Sequence, residues 1–155
     1  EFVFPFVPLE LLVYQRISVL RPDGRVQEAE IEGNVVAFFW SPDSAKLAYV
    51  TLTDEFGVLR WSILTVADGE DRPLVDFRPS ADQLTVFQYF DQYARSHFQW
   101  SPDSQSIVFS GRLASMAVSA SLGRRQGDKI IVVAIPPALT VDTIAEGSLG
   151  FWSPR

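Results

Sequence analysis

A five-residue motif occurs twice in this chain with matching flanks, and it constrains the fold more than any other feature of the sequence. Trp-Ser-Pro-Asp-Ser stands at 40–44 and again at 100–104, and two variable residues, two apolar residues and an aromatic residue follow each copy. A third copy begins at Trp152. The motif tryptophans are 60 and 52 residues apart. This spacing is typical of four-stranded propeller blades with loops of variable length.

The motif predicts a tight turn between two strands. Proline at its second position fixes φ for a type I β-turn, and the serine and aspartate beside it can cap nearby backbone N–H groups. We therefore expect the two motif aspartates to cap their own turns and not to act as acids or bases. The residues assigned to this structural motif are Trp40, Ser41, Pro42 and Asp43, then Trp100, Ser101, Pro102 and Asp103, and finally Trp152.

A second hairpin follows each motif. Residues 59–77 have the pattern of a strand, a turn containing Asp68-Gly69 and a second strand, and 14–31 match this pattern with Asp-Gly in register. A more divergent copy occupies 129–144. Short strands separated by regularly spaced turn residues indicate an all-β protein. Each complete unit is thus expected to hold four antiparallel strands, A to D.

At these motifs the chain resembles the TolB-type, WD-like β-propeller repeat, whose mark is Trp-Ser-Pro-Asp-Gly/Ser followed by Leu-Ala-Tyr/Phe. The resemblance covers two complete repeats, about 34–78 and 96–146, and partial repeats at both ends. Ser44 and Ser104 stand where the family commonly has glycine. The resemblance implies a propeller that contacts envelope proteins or peptides, in the periplasm or outside the cell.

The predicted organisation is one propeller segment over 1–155 with about three blades. They cover 148–155 joined to 1–33, then 34–80, then 96–147, and each Trp motif is expected to open a separate sheet. Three blades are too few to close a ring, because propellers usually have four to eight. The segment is then part of a longer propeller, or two copies form a homodimer that completes a six-bladed ring by strand exchange.

Composition excludes several functions. The net charge of −6 argues against nucleic-acid binding, which needs an excess of clustered basic residues. The chain has no Cys and one His, which excludes thiolate and multi-histidine metal centres. No apolar run is long enough to span a bilayer, and 1–8 do not have the pattern of a signal peptide. Hydrolase and nucleotide-binding motifs are missing too, so we expect neither catalysis nor a cofactor.

Two long insertions mark a candidate binding face. One covers 78–96, between strands D and A, and the other covers 114–128, between strands B and C. Strand direction places both on the same side of the propeller, where long loops on a rigid scaffold commonly bind partners. The basic residues of the insertions would form a positive patch together with two residues of the flanking strands, and the members of this patch are Arg95, Arg124, Arg125, Arg112 and Lys129. The predicted partner-binding residues are Tyr89, Phe90, Asp91, Tyr93, Arg95, His97, Arg124 and Arg125.

A structural interpretation of the first insertion remains open beside the functional one. Phe87, Phe90 and Tyr93 are spaced at three, so they can form the inner stripe of a short helix that closes the end of a blade. The predicted function is a non-catalytic module for a protein or peptide partner. The alternative is the gating propeller of a larger serine peptidase of the prolyl-oligopeptidase type, whose catalytic domain lies outside this chain.

Overall fold

The computed structural model describes residues 11–20, 22–115 and 127–153, and for 26–30 it describes the backbone alone. Within these residues the elements are eight strands and two short helices, in agreement with the all-β prediction. The strands are β1 (Tyr14–Leu20), β2 (Val26–Trp40), β3 (Lys46–Leu52), β4 (Leu59–Thr65), β5 (Asp71–Pro79), β6 (Ser106–Leu113), β7 (Lys129–Ala134) and β8 (Val141–Glu146), and the helices are α1 (Ala81–Gln88) and α2 (Phe90–Tyr93), both between β5 and β6.

The eight strands are hydrogen-bonded in chain order, and every neighbouring pair is antiparallel. The expectation that each Trp motif opens a separate sheet is therefore wrong at the level of hydrogen bonding. The ladder is narrow at one point, where three residue pairs join β5 to β6, from Phe77 with Leu113 to Pro79 with Gly111. By contrast, seven pairs join β3 to β4.

Two strands change partners part-way along their length, which explains the continuous ladder. β2 pairs with β1 up to Val35 and with β3 from Val35 onward. β6 pairs with β7 up to Gly111 and with β5 from Gly111 onward. Gly33 and Gly111 lie at or beside these changes with φ +146°, a conformation that residues with a Cβ rarely adopt. The backbone of β2 and of β6 thus continues from one partner strand to the next, and the hydrogen-bonded ladder is not interrupted.

Side-chain packing separates the sheet into three stacked layers. Because side chains alternate along a strand, the unit from β3 to β5 has two faces. One face packs Leu47, Tyr49 and Leu64 against side chains of β1 and β2 such as Ile17 and Ile31. The opposite face belongs to the main core, which continues into the helices, β6 and β7. Its fully buried members include Trp61, Phe77, Phe87, Phe109, Ile107 and Ile131. Face-to-face layers of this kind are adjacent propeller blades.

Both complete motifs form the turn that their sequence predicts. In the first turn Asp43 accepts from the amide of Ala45 at 3.0 Å, and the Ser41 hydroxyl accepts from the amide of Lys46 at 2.9 Å. In the second turn Asp103 accepts from the amide of Gln105 at 3.0 Å. The expected capping by both aspartates is confirmed. The last turn residues, Ser44 and Ser104, have φ +59° and +58°, which explains why glycine is common at this position.

A pH dependence of stability follows from these turns. Hydrogen bonds from Ser41 and Ser101 are the main cause that lowers the pKa of Asp43 and of Asp103 below the ordinary value of 3.8. A depressed folded-state pKa stabilises the fold above pH 3.8, and this stabilisation is lost as the pH falls through the lower folded value. We expect urea denaturation to show decreasing stability below about pH 4, with a smaller decrease in the Asp43→Asn, Asp103→Asn double variant. An identical pH profile in the double variant would contradict this assignment.

Two hydrogen bonds join the complete motifs to each other across adjacent layers. The Trp100 indole Nε1 donates to the carbonyl oxygen of Phe39 at 2.9 Å, and the Asp43 amide donates to the Ser104 hydroxyl at 3.1 Å. Each bond connects residues 61 positions apart. We call this pair of bonds the inter-layer clamp. Ser104 thus has a role that glycine at the same position could not perform.

The described part of the third motif lies on the outer side of the third layer. The Trp152 amide donates to the carbonyl oxygen of Phe98 at 2.8 Å, and Gly150 packs closely against Val108 and Ile130. Upstream, the carbonyl oxygen of Ser148 accepts hydrogen bonds from two buried serine hydroxyls, those of Ser80 and Ser110. This segment is therefore held by its own chain next to the second motif.

Candidate functional site

The first insertion begins at a capped helix that is fixed to the sheet. Ser80 is the N-cap of α1, and its hydroxyl accepts from the amide of Gln83 at 3.0 Å. The fully buried Gln83 side chain accepts from the amide of Ser110 at 3.0 Å and donates to the Gln99 side chain at 3.1 Å. A buried polar network with satisfied partners holds an element in a single position. Hence α1 is a rigid base for the rest of the insertion.

The aromatic residues of the insertion divide between the core and the surface. Phe87 is fully buried and packs edge-on against Trp61 with ring centroids 5.5 Å apart. Phe90 is 9% exposed and lies 4.8 Å from the ring of Phe38. The inner-stripe interpretation is confirmed for these two residues, whereas Tyr93 is half-buried. Phe90, which the sequence interpretation counted among the partner-binding residues, is therefore packed mainly in the core.

An apolar cavity lies beneath α2, where the first and second motifs approach each other. Its volume is about 420 Å³, and its walls are mainly aromatic. Asp91 supplies the single carboxylate of the lining, and this residue is exposed. Cavities with apolar walls and few polar groups are the usual form of a binding pocket. The lining consists of Phe38, Phe39, Trp40, Pro42, Phe90, Asp91, Ala94, Phe98, Gln99 and Trp100.

The other predicted partner-binding residues of the first insertion are not part of this lining and lie in different environments. Tyr89 is 49% exposed, and Arg95 is also on the surface. His97 is half-buried between the rings of Tyr93 and Phe151, each with a centroid 4.8 Å away. Its Nδ1 lies 2.8 Å from the Ser96 hydroxyl. His97 thus holds the insertion against the third motif, and it is less exposed than the sequence suggested.

The second insertion begins at the same edge of the sheet as the first. Pro79 pairs with Gly111, and the amide of Ser80 donates to the carbonyl oxygen of Ser110 at 3.1 Å. The strand ends from which both insertions start are therefore adjacent. The greater part of the second insertion, including Arg124 and Arg125, lies outside the described residues.

Two members of the positive patch expected beside this insertion, Arg112 and Lys129, are paired with carboxylates. Arg112 lies 3.6 Å from the carboxylate of Asp128, and Lys129 forms an ion pair with Glu146. The carboxylate of Glu146, on the neighbouring strand β8, and that of Asp128, just before β7, neutralise these two cations. The sequence suggested a free patch because it does not show which acidic residue faces which basic one across the β-ladder.

A second cavity of about 420 Å³ lies between the first two layers, lined by Ile31, Glu32, Tyr49, Thr51 and Asp71. The Tyr49 hydroxyl donates to Asp71 at 2.6 Å. Burial is the main cause that raises the pKa of the Tyr49 hydroxyl, and the hydrogen bond to Asp71 raises it further. Tyr49 therefore stays neutral at physiological pH. In the parts of the chain that the structure describes, no group of three metal-ligating side chains occurs, and no helix is long and apolar enough to cross a membrane.

Comparison with solved structures identifies the architecture. TolB from Acinetobacter baumannii matches with a TM-score of 0.50 and 15% sequence identity. The fold is TolB-like. The match covers 86% of this chain and 27% of the TolB chain, so the TolB-like chain described here spans about a quarter of that protein. No protein-family model matches the sequence, and no curated protein matches it.

Proposed function

We propose that this chain is a propeller segment without catalytic activity of its own, which binds a protein or peptide partner at the cavity beneath α2. The observation that carries the proposal is an aromatic pocket of about 420 Å³ with one exposed carboxylate, Asp91, in its lining. Aromatic side chains around a concave surface are typical of binding hot spots. The TolB-like fold supports a protein-binding role and, by the same likeness, a periplasmic location.

The chemistry of the pocket favours one kind of peptide. Its walls suit an apolar or aromatic side chain, and Asp91 suits a neighbouring Lys or Arg of the partner. The net charge of −6 would also attract a basic segment over longer distances. We therefore expect partners that present a large apolar residue next to a basic one.

Selection from a random peptide-display library, followed by fluorescence anisotropy with the selected peptides, tests this function. Asp91→Asn is expected to weaken binding about tenfold, because the side chain keeps an acceptor oxygen but loses the negative charge that strengthens its hydrogen bond to a basic residue of the partner. Ala94→Phe fills part of the pocket and should abolish binding. The matched control is Asp68→Asn, which removes an exposed carboxylate from a turn elsewhere on the sheet.

Either of two results would reject this binding site. One is a set of selected peptides that lack basic residues and bind the Asp91→Asn variant as tightly as the original chain. The other is unchanged affinity in Ala94→Phe. Circular dichroism of both variants must show an intact fold, since Ala94 adjoins the buried Phe90.

A further inference from the structure

A small cavity lies between the second and third layers, at the edge of the main core. Lys46 pairs with Thr65 across β3 and β4, and Ile63 pairs with Arg72 across β4 and β5. Paired residues share a face of the sheet, and Ile63 belongs to the main core, so all four side chains are on the face towards the third layer. The third layer adds the residues that follow β7. The described lining is Lys46, Ile63, Thr65, Glu70, Arg72, Ile135, Pro136 and Pro137.

The inner walls of this cavity are apolar. Ile63 and Ile135 are 4% and 5% exposed, and Pro136 and Pro137 complete the apolar part of the lining. The volume is about 240 Å³, slightly below the roughly 300 Å³ at which small-molecule pockets usually begin. A cavity of this size accommodates one residue-sized group. We call it the Lys46 cavity, which distinguishes it from the pocket beneath α2.

The polar edge of the Lys46 cavity has more hydrogen-bond donors than the described residues use. The Lys46 side chain is 21% exposed, and its Nζ lies 3.7 Å from the carboxylate of Asp43, which is too far for a hydrogen bond. Arg72 donates through Nε and Nη2 to one oxygen of Glu70, which leaves Nη1. Among the described residues, this Nη1, the Lys46 Nζ and the Thr65 hydroxyl have no hydrogen-bond acceptor.

The lysine is not needed for the turn that precedes it. The second motif has Ser106 at the position of Lys46, and both motifs form the same capped turn. A largely buried ammonium without a hydrogen bond is unfavourable unless a partner satisfies it. An oxyanion that enters the cavity would accept from Lys46 and from the other free donors. The lining favours such a ligand, since it holds two cations and one carboxylate in a chain whose net charge is −6.

We propose that the Lys46 cavity binds the free C-terminal residue of a peptide, because this group joins a carboxylate to a side chain that can be small and apolar. The carboxylate accepts charge-assisted hydrogen bonds from Lys46 and Arg72, and the apolar side chain lies against Ile63 and Ile135. The cavity shares no described lining residue with the pocket beneath α2, so the proposal is independent of the function proposed above.

Titration of the isotope-labelled chain with N-acetyl-leucine, followed by NMR of the backbone amides, tests the proposal. We expect saturable shifts at the amides of Lys46, Thr65 and Arg72, with a dissociation constant of about 1 mM for so small a ligand. N-acetyl-leucinamide has the same shape without the charge and should bind at least about tenfold more weakly. Inorganic phosphate has the charge without the apolar group and should also bind more weakly. Phosphate binding as tight as that of N-acetyl-leucine would assign the cavity to a phosphate ligand and overturn the proposal.

Lys46→Met removes the ammonium and keeps an unbranched side chain, so the dissociation constant should rise about tenfold or more. The matched control is Arg60→Gln, which removes a cation that is also paired with a carboxylate, that of Asp76, but lies outside the cavity lining. This variant should bind within about twofold of the original chain. Two results overturn the proposal: no saturable shift at the cavity amides up to about 10 mM ligand, or equal affinity in a folded Lys46→Met variant. Neither result bears on peptides selected at the pocket beneath α2.

Discussion

Replacing Gly111 by alanine is expected to cost about 4 kcal/mol or more of the free energy of unfolding, which would make it one of the most damaging single substitutions in the chain. A Cβ at this position would lie 2.1 Å from the carbonyl oxygen of Arg78 and 2.9 Å from the Cα of Pro79. Both atoms belong to the backbone of β5, so no side chain can move aside. The φ of +146° adds conformational strain.

Gly33 separates the two causes, because it has the same φ of +146° but no atom within 4 Å of the position that a Cβ would occupy. Gly33→Ala should therefore cost only the backbone strain, about 1–3 kcal/mol. Urea denaturation of both variants gives the comparison. Equal losses of stability in the two variants would show that the close approach of β5 and β6 at Gly111 does not limit the fold. A larger loss at Gly111 assigns the difference to that contact.

Trp61→Ala should destabilise the chain by about 3–5 kcal/mol through the cavity that it leaves. The side chain is fully buried in the main core. Its ring centroid lies 5.5 Å from that of Phe87, 6.1 Å from that of Phe109 and 6.3 Å from that of Phe77. These rings come from α1, β6 and β5, so the truncation would loosen the second layer, the third layer and the first insertion together.

Two further variants show whether this loss comes from burial and not from removal of an aromatic ring in general. Phe56 is 83% exposed, and Phe56→Ala should change the unfolding free energy by less than about 0.5 kcal/mol. Trp61→Phe keeps a ring in the core and removes an indole Nε1 that is buried without a partner among the described residues, so its cost should stay below about 1.5 kcal/mol. Chemical denaturation measures all three, and a Trp61→Ala loss as small as that of Phe56→Ala would contradict the packing described here.

The repeated turns were predictable because their chemistry is local. Each Trp-Ser-Pro-Asp-Ser segment contains the proline that fixes the turn and the aspartate that caps it, and the capping bonds reach no further than five residues along the chain. The Asp-Gly turns are equally local, since Asp68 accepts from the amide of Glu70 at 2.9 Å. The strands between these turns were predictable from the same turn residues, because those residues mark where each strand ends.

The candidate site was predictable only in part. The sequence located the insertion at 78–96, but it could not show that Phe90 is buried and Asp91 exposed, because the burial of a residue depends on which rings from distant strands reach it. Of the cavity walls, Phe38, Trp40 and Phe98 had no functional role in the sequence interpretation. The signal that could have found them is the aromatic residue preceding both complete motifs at 38 and 98.

The sequence by itself determined the turns, the strands between them and the all-β class, since these depend on residues that are neighbours along the chain. Only the tertiary structure decided that the ladder continues through Gly33 and Gly111, that Arg112 and Lys129 are neutralised by acidic neighbours, and that the Trp100 indole is bonded to Phe39. Each of these outcomes depends on a contact between layers or strands, and the inter-layer clamp joins residues 61 positions apart. Interactions at that separation leave no local pattern in the sequence.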